Sequence, residues 1–206
     1  MILISQNITN YDIPIPENSV FRINLAWVNS IAELKKLLEI HQSHIIFLDL
    51  PVNRTKPPNN KYSLNDIVSI LENYDSIRYI AISNVETEKD LDEYLEVVPK
   101  NITIVPKIES HTGVENIKDI TEKLEFKERF VMLDHDDLYS NLLKSNISSD
   151  KFPYYVNNLI KFCKSNNITL LRTIGIIFSD ENKNISDYIR WLKWVNSKQL
   201  KKYLRF

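Results

Sequence analysis

The chain has 206 residues, 43% of them hydrophobic and 26% charged, so it can bury one substantial core, and a single domain over 1–206 is expected. Its net charge of −1, with no basic run or aromatic-basic alternation, argues against nucleic acid and for a small or protein partner. The lone Cys163 excludes a disulfide framework or a cysteine metal cluster, and no run approaches the roughly 20 apolar residues of a membrane span; with no signal-peptide pattern in MILISQNITNYD, a cytoplasmic protein without a membrane partner is expected.

Seven apolar, β-branched runs recur along the chain: ILIS at 2–5, VFRINLAWV at 20–28, HIIFLDL at 44–50, IRYIAIS at 77–83, ITIVPKIE at 102–109, RFVMLDH at 129–135 and ITLLRTIGIIF at 168–178. Near-continuous apolar strands mark a sheet buried on both faces, hence parallel. Helical spacing separates most of them. Ile31, Leu34, Leu37 and Leu38 share a face, as do Ile67, Ile70 and Leu71, then Leu91, Tyr94 and Leu95, then Val114, Ile117, Ile120 and Leu124. Each helix opens on a hydroxyl with an acid three residues later: Ser30 and Glu33, Ser63 and Asp66, Thr87 and Asp90, Thr112 and Glu115. Cys163 falls on the apolar side of a further pattern with Val156, Leu159 and Ile160, as core filler.

Strands alternating with helices fit an α/β fold, either a (β/α)8-type TIM barrel or an open doubly wound sheet. With only 2 Gly in the chain and no GxGxxG or P-loop after any strand, the barrel is the expectation. No eighth strand is legible after Phe178. The tail, about 184–206, reads as one amphipathic helix carrying Trp191 and Trp194, so the barrel is incomplete or is closed by a partner.

Residues two apart on a strand point the same way, which pairs Arg22 with Asn24, Lys107 with Glu109, and His135 with Asp137, all late in their strands. A barrel keeps its site at that end. Arg22 could pair with Glu109 as a buried salt bridge, and His135 could be a hydrogen-bonded loop residue; recurrence on successive strands favours a site. Glu109 and Asp137 offer hard oxygens of the kind Mg2+ or Mn2+ takes. Beside such an ion, Lys107 would face an enolate oxygen, Arg22 a carboxylate or phosphate, and His135 is a candidate base by residue type. His41 and His44 flank the third strand at the opposite end, where a stability or surface role is expected. His111 follows Glu109 and faces either ligand or solvent.

These segments resemble the barrel of pyruvate kinase. FRINLAW is similar to the family's R-x-N-F-S-H, FLDLPVNRTK to D-x-K-G-P-x-I-R-T with two residues missing, PKIESHTGVENIKDI to K-I-E-N-x-x-G-V-x-N, and VMLDHDDLY to V-A-R-G-D-L-G. LLRTIGII corresponds to A-T-Q-M, and the matches run in order from about residue 2 to 178. The resemblance implies a divalent metal on Glu109 and Asp137, Lys107 beside the enolate, Arg22 toward phosphate and Thr173 near a carboxylate. It further implies that Asn24 matches a monovalent-cation ligand and that Asp49 and Arg54 form the third-strand polar pair.

The chain also departs from that family. Only NRTKPPNNKY and its neighbours stand where a lid domain would be inserted, and nothing in these 206 residues corresponds to the family's C-terminal domain. Ala26 and Trp27 replace serine and histidine, and both glycines of R-G-D-L-G are replaced, with Asp136 adding repulsion toward an anion. ATP-forming kinase activity is therefore not expected. Lidless aldolases and citrate-lyase-like enzymes of the same barrel group, in some of which the last helix is swapped between subunits of a homo-oligomer, fit better. The expected function is a metal-dependent carbon-carbon lyase acting on a small anionic substrate such as pyruvate, oxaloacetate or a phosphoenolpyruvate-like acid. The alternatives are a catalytically inactive barrel serving as ligand sensor or partner subunit, and a lidless phosphotransferase.

Overall fold

Seven strands form one sheet in the computed structural model, which describes residues 3–6, 19–54 and 57–172. They are Leu3–Ser5 (β1), Val20–Asn24 (β2), Ile45–Leu50 (β3), Ile77–Ile82 (β4), Thr103–Ile108 (β5), Phe130–Leu133 (β6) and Thr169–Arg172 (β7). Thr173, the remainder of the expected seventh run and the tail helix at about 184–206 lie outside the described residues. Every pairing is parallel, and the spatial order is the chain order. A doubly wound sheet would reverse its order at a switch point. Sequential order instead curls the sheet into a half-barrel, an α/β fold in which each strand end lies beside the next.

Alternation along the strands sets what points inward. Val20, Phe47, Ala81, Val105, Phe130, Met132 and Leu171 form one buried cluster inside the curl, with Leu3 and Tyr79 packed on it. Two residues on from each apolar member, the same parity brings Arg22, Asp49, Ser83 and Lys107 inward near the strand ends. Pro106 sits inside β5 without a backbone donor; the ladder from β5 to β6 consists of Lys107↔Met132 and Ile108↔Leu133, both past the proline.

Among the described residues, seven α-helices lie between the strands: Ile31–Ile40 (α1), Leu64–Asn73 (α2), Asp92–Val97 (α3), His111–Glu115 (α4), Ile117–Glu122 (α5), His135–Lys144 (α6) and Phe152–Ser165 (α7). Their buried faces follow the apolar spacing, with Leu34 and Leu38 inward on α1, and Ile67, Ile70 and Leu71 on α2. Cys163 is buried on α7 beside Val156 and Leu159, as core. No described helix is long and apolar enough to cross a membrane.

Of the four expected caps, Ser30 and Ser63 accept from the amide three residues on, Thr87 opens a turn through Asp90, and the fourth moves from Thr112 to Ser110. Ser30 accepts from the Glu33 amide at 3.1 Å, although the Glu33 carboxylate takes the Asn29 amide rather than that of Ser30. Ser63 and Asp66 form a reciprocal box, and Asp90 accepts from the Thr87 amide at 2.8 Å to open a short 3-10 turn. The fourth cap is Ser110, whose hydroxyl accepts from the Gly113 amide at 3.1 Å; Thr112 lies inside α4. With so few glycines, asparagine supplies the left-handed backbone. Asn146 and Asn167 close α6 and α7 at φ 55° and 53°, while Asn53 and Asn84 turn the chain after β3 and β4.

Candidate functional site

Four charged side chains interlock at the C-terminal ends of β2, β3 and β5. Asp49 is fully buried, and one of its oxygens, Oδ2, accepts from both Nε and Nη2 of Arg22. The Lys107 ammonium lies 3.6 Å from the other oxygen of Asp49, 2.9 Å from Glu109 Oε1 and 2.9 Å from the Ser83 hydroxyl, to which it donates. Glu109 uses Oε2 to accept from the Asn84 amide at 2.7 Å. The sequence alternative of an Arg22–Glu109 bridge gives way to Arg22–Asp49 and Lys107–Glu109 pairs.

The electrostatics of these groups differ in sign. Burial by itself would push the Asp49 carboxyl up, but Lys107 and Arg22 outweigh it and hold the group below its ordinary range. Burial likewise works against charge on Lys107 and Arg22, yet Asp49, joined at Lys107 by Glu109, raises both above their usual values. Glu109 goes the other way. Its burial is only partly offset by Lys107 and the Asn84 amide, Asp134 adds repulsion, and the carboxyl is left above the usual glutamate range.

Glu109 also belongs to a second cluster. Oxygens of Glu109, Asp134 and Asp137 lie within 4.8 Å of one another. The first follows β5; the other two come from the start of α6, where Asp134 is the N-cap and accepts from the Asp137 amide at 3.3 Å. His135 and Asp137 are therefore not strand residues, as the 129–135 run suggested: β6 ends at Leu133 and the helix begins at once. Asp137 reaches the site by helical geometry and not by strand parity. Asp134, two residues on from the inward Met132, occupies the place that parity had assigned to His135.

Among the described residues, two cations, Arg22 and Lys107, face four carboxylates, Asp49, Glu109, Asp134 and Asp137, a formal excess of two negative charges within that group. Asp49 Oδ1 is buried and has no hydrogen-bond partner among the described residues. An all-oxygen donor set with that excess fits a hard divalent cation, and Mg2+ or Mn2+ would be held by Glu109, Asp134 and Asp137.

A cleft of about 110 Å3 opens beside this group, floored by Lys107 and Glu109. One wall is α6, which turns Asp137, Ser140, Asn141 and Lys144 to the cleft while burying Leu138 and Leu142 on its other side. The lining also includes Asn53 and Arg54 from the chain after β3, and Ser83 and Asn84 from the end of β4. Among the described members of the expected substrate set, Arg54 alone lines the cleft. Its Nε donates to the Pro58 carbonyl at 2.9 Å. Arg22 and Asp49 lie outside the cleft lining, and Asn24 is turned to local work, capping a 3-10 turn through the Ala26 amide at 3.0 Å. His135 Nε2 accepts from the Arg172 guanidinium at 3.0 Å. His111 binds Asn141 Oδ1 through its ring at 2.8 Å, which ties α4 to α6. His41, at the other end of the sheet, is buried and stacked on Phe21 with centroids 3.8 Å apart.

The sequence reading passed over Asp134, Ser140 and Lys144. Ser140 and Lys144 were legible in the spacing once a helix is begun at residue 135, because 137, 140, 141 and 144 follow the i, i+3, i+4, i+7 rule, and Asp134 was legible as that helix's N-cap.

No family model and no curated protein matches the chain. Among solved structures it is similar to RipC from Yersinia pestis, with a TM-score of 0.56 and 17% identity over 83% of this chain and 77% of that one. At that identity the likeness is one of fold, and it agrees with the curled parallel sheet.

Proposed function

We propose that the cleft is a divalent-metal enolate site for a small 2-keto acid, set in an incomplete (β/α)8 TIM barrel of the pyruvate kinase kind. The reaction is cleavage or formation of a carbon-carbon bond, of the aldolase or citrate-lyase type. The observation that carries this reading is the buried Lys107 ammonium held against Glu109 at 2.9 Å, beside three carboxylates whose oxygens share one small volume. When bound, Mg2+ or Mn2+ supplies Lewis-acid polarisation of a keto oxygen.

The chain's own residues do the rest. Lys107 is kept charged by Asp49 and Glu109, and it presents a fixed positive charge where negative charge develops on the substrate oxygen. Asp49 orients that ammonium and is itself held by Arg22, so Arg22 acts through Asp49 and not on the substrate. Ser83 fixes a further proton of the ammonium. His135 would have to release Arg172 before it could accept a proton.

One observation favours a second reading, a catalytically inactive barrel that senses a ligand or serves as a partner subunit: Arg22 with Asp49 and Lys107 with Glu109 already neutralise one another within the fold. Calorimetric titration of Mg2+ and Mn2+, with and without pyruvate or oxalate, separates the two. Binding that needs metal and acid together, and that weakens at least about tenfold in a folded Glu109→Ala variant, is expected from losing a charged ligand. Wild-type protein that binds neither would turn the assignment to the inactive barrel.

A further inference from the structure

We infer that Ser83 is a catalytic residue of the cleft: its hydroxyl donates a hydrogen bond to the ligand oxygen on which negative charge develops, and so does more than hold Lys107. The inference rests on the enolate reading above and adds a donor to it. Ser83 directly follows β4, and with the parity of Ala81 its side chain turns into the curl. The backbone on both sides of that side chain is pinned. Its own amide donates to the Leu50 carbonyl at 3.2 Å, continuing the β3–β4 ladder, and the next amide, that of Asn84, donates to Glu109 Oε2 at 2.7 Å. The residue is 5% exposed and still lines the cleft.

Hydrogen-bond polarity decides what this hydroxyl can do. An ammonium only donates, so the 2.9 Å contact with Lys107 Nζ uses a lone pair of Ser83 Oγ and leaves the serine proton unspent. No described residue accepts that proton. Ser140, the other hydroxyl in the lining, gives its proton to the Asp136 carbonyl at 2.7 Å. A buried donor without an acceptor is costly, so the position favours a ligand that brings one. The ammonium on Oγ draws charge out of the hydroxyl and strengthens it as a donor. The same cation weakens the oxygen as a nucleophile, and no described base stands on its proton. Donation is the role that remains. Lys107 Nζ lies 2.9 Å from both Ser83 Oγ and Glu109 Oε1, which puts the serine donor, the ammonium and a carboxylate of the metal set within reach of one substrate oxygen. The proton stays on serine throughout; no bond is made or broken at Oγ.

Calorimetry on the full chain with saturating Mn2+ tests this with two acids. Oxalate carries a charged oxygen where pyruvate carries a neutral keto oxygen. Ser83→Ala should bind oxalate about tenfold more weakly and pyruvate by no more than about threefold, because a hydrogen bond to a charged acceptor is the stronger. Equal losses for the two acids, or none, overturn the inference and leave the enolate site standing. A serine that acted through Lys107 alone would cost nothing once the ammonium is gone. In a Lys107→Gln background, removing the Ser83 hydroxyl should still weaken oxalate by about threefold or more, and a smaller effect reduces Ser83 to a support for Lys107 and overturns its contact with the ligand. A crystal structure of the wild-type chain with Mg2+ and oxalate decides the same point without a variant. Ser83 Oγ should stand within about 3 Å of an oxalate oxygen, and a separation beyond about 3.5 Å overturns the contact. Failure of both acids to bind the wild-type protein in the presence of metal overturns the enolate reading and this inference together.

Discussion

Gly113 leaves no room for a side chain near the site. Its backbone is ordinary for a helix, but a Cβ there would come 2.6 Å from the Val85 carbonyl oxygen and 3.3 Å from an Ile108 methyl. Backbone cannot swing aside as a flexible side chain can, so Gly113→Ala should cost about 1–3 kcal/mol in urea unfolding. The displaced segment contains Asn84, whose amide holds Glu109, so metal affinity should weaken as well. An alanine variant with unchanged stability and metal binding would show that α4 can slide without disturbing the chain after β4. Cys163 offers an independent probe at the same scale. Burial pushes its thiol up to about 12, leaving roughly one molecule in ten thousand as thiolate at pH 8. Alkylation should therefore be slow in the native protein and should keep pace with unfolding in urea; rapid labelling without denaturant would place the α7 face outside the core.

At the scale of elements, α6 does most to build the site, and its N-cap residue has two jobs. Asp134 caps the helix through the Asp137 amide and gives an oxygen to the carboxylate triad. Two substitutions separate the jobs. Asp134→Ser keeps a capping oxygen and should unfold within about 0.5 kcal/mol of wild type, whereas Asp134→Ala should lose about 1 kcal/mol. Both should bind Mn2+ more weakly, and serine-variant binding equal to wild type would remove Asp134 from the metal site. The same helix explains where sequence reasoning succeeded and where it slipped. Strands β1 to β7 were legible because buried parallel strands write themselves as apolar runs, and Lys107 and Glu109 stood out as charges ending such a run. Strand β6 has four residues, too few for its end to be visible in the spacing, so the reading ran on through Asp134 to His135. A slip in strand parity exchanges one face for the other. It made His135 a site residue and hid Asp134. The fourth cap slipped for a related reason: Ser110 and Thr112 are both good caps, and nothing local chooses between them. Doubly wound and barrel orders differ only in how strands pair over long separations, and that information is not carried by local spacing.

Over the whole molecule, the buried charges should write themselves into the pH dependence of stability. Asp49 lies below its ordinary value of 3.8 in the fold, so its contribution is complete above that value and is lost as pH falls through the lowered one. Asp49→Asn should remove that acid limb and cost about 3–5 kcal/mol at neutral pH, because it strands two buried cations. Glu109 has the opposite sign. Its carboxyl lies above the ordinary 4.5 in the fold, so the folded chain binds that proton more tightly than the unfolded chain does. As pH rises from 4.5 through the raised value, the metal-free fold loses stability. His41, lowered from 6.5 chiefly by burial with a smaller effect of His44, works against this by losing stability as pH falls below 6.5. The Glu109 effect is therefore read as a difference between wild type and Glu109→Gln. In metal-free buffer the two urea midpoints should nearly coincide at pH 4 and separate toward neutral pH, with the glutamine variant the more stable. Saturating Mn2+ should reverse the order at neutral pH, since a bound cation rewards the carboxylate that the empty fold penalises. Midpoints that keep a constant separation from pH 4 to 7 would mean that Lys107 and the Asn84 amide fully compensate the charge, and that the fold holds nothing in reserve for a cation at Glu109.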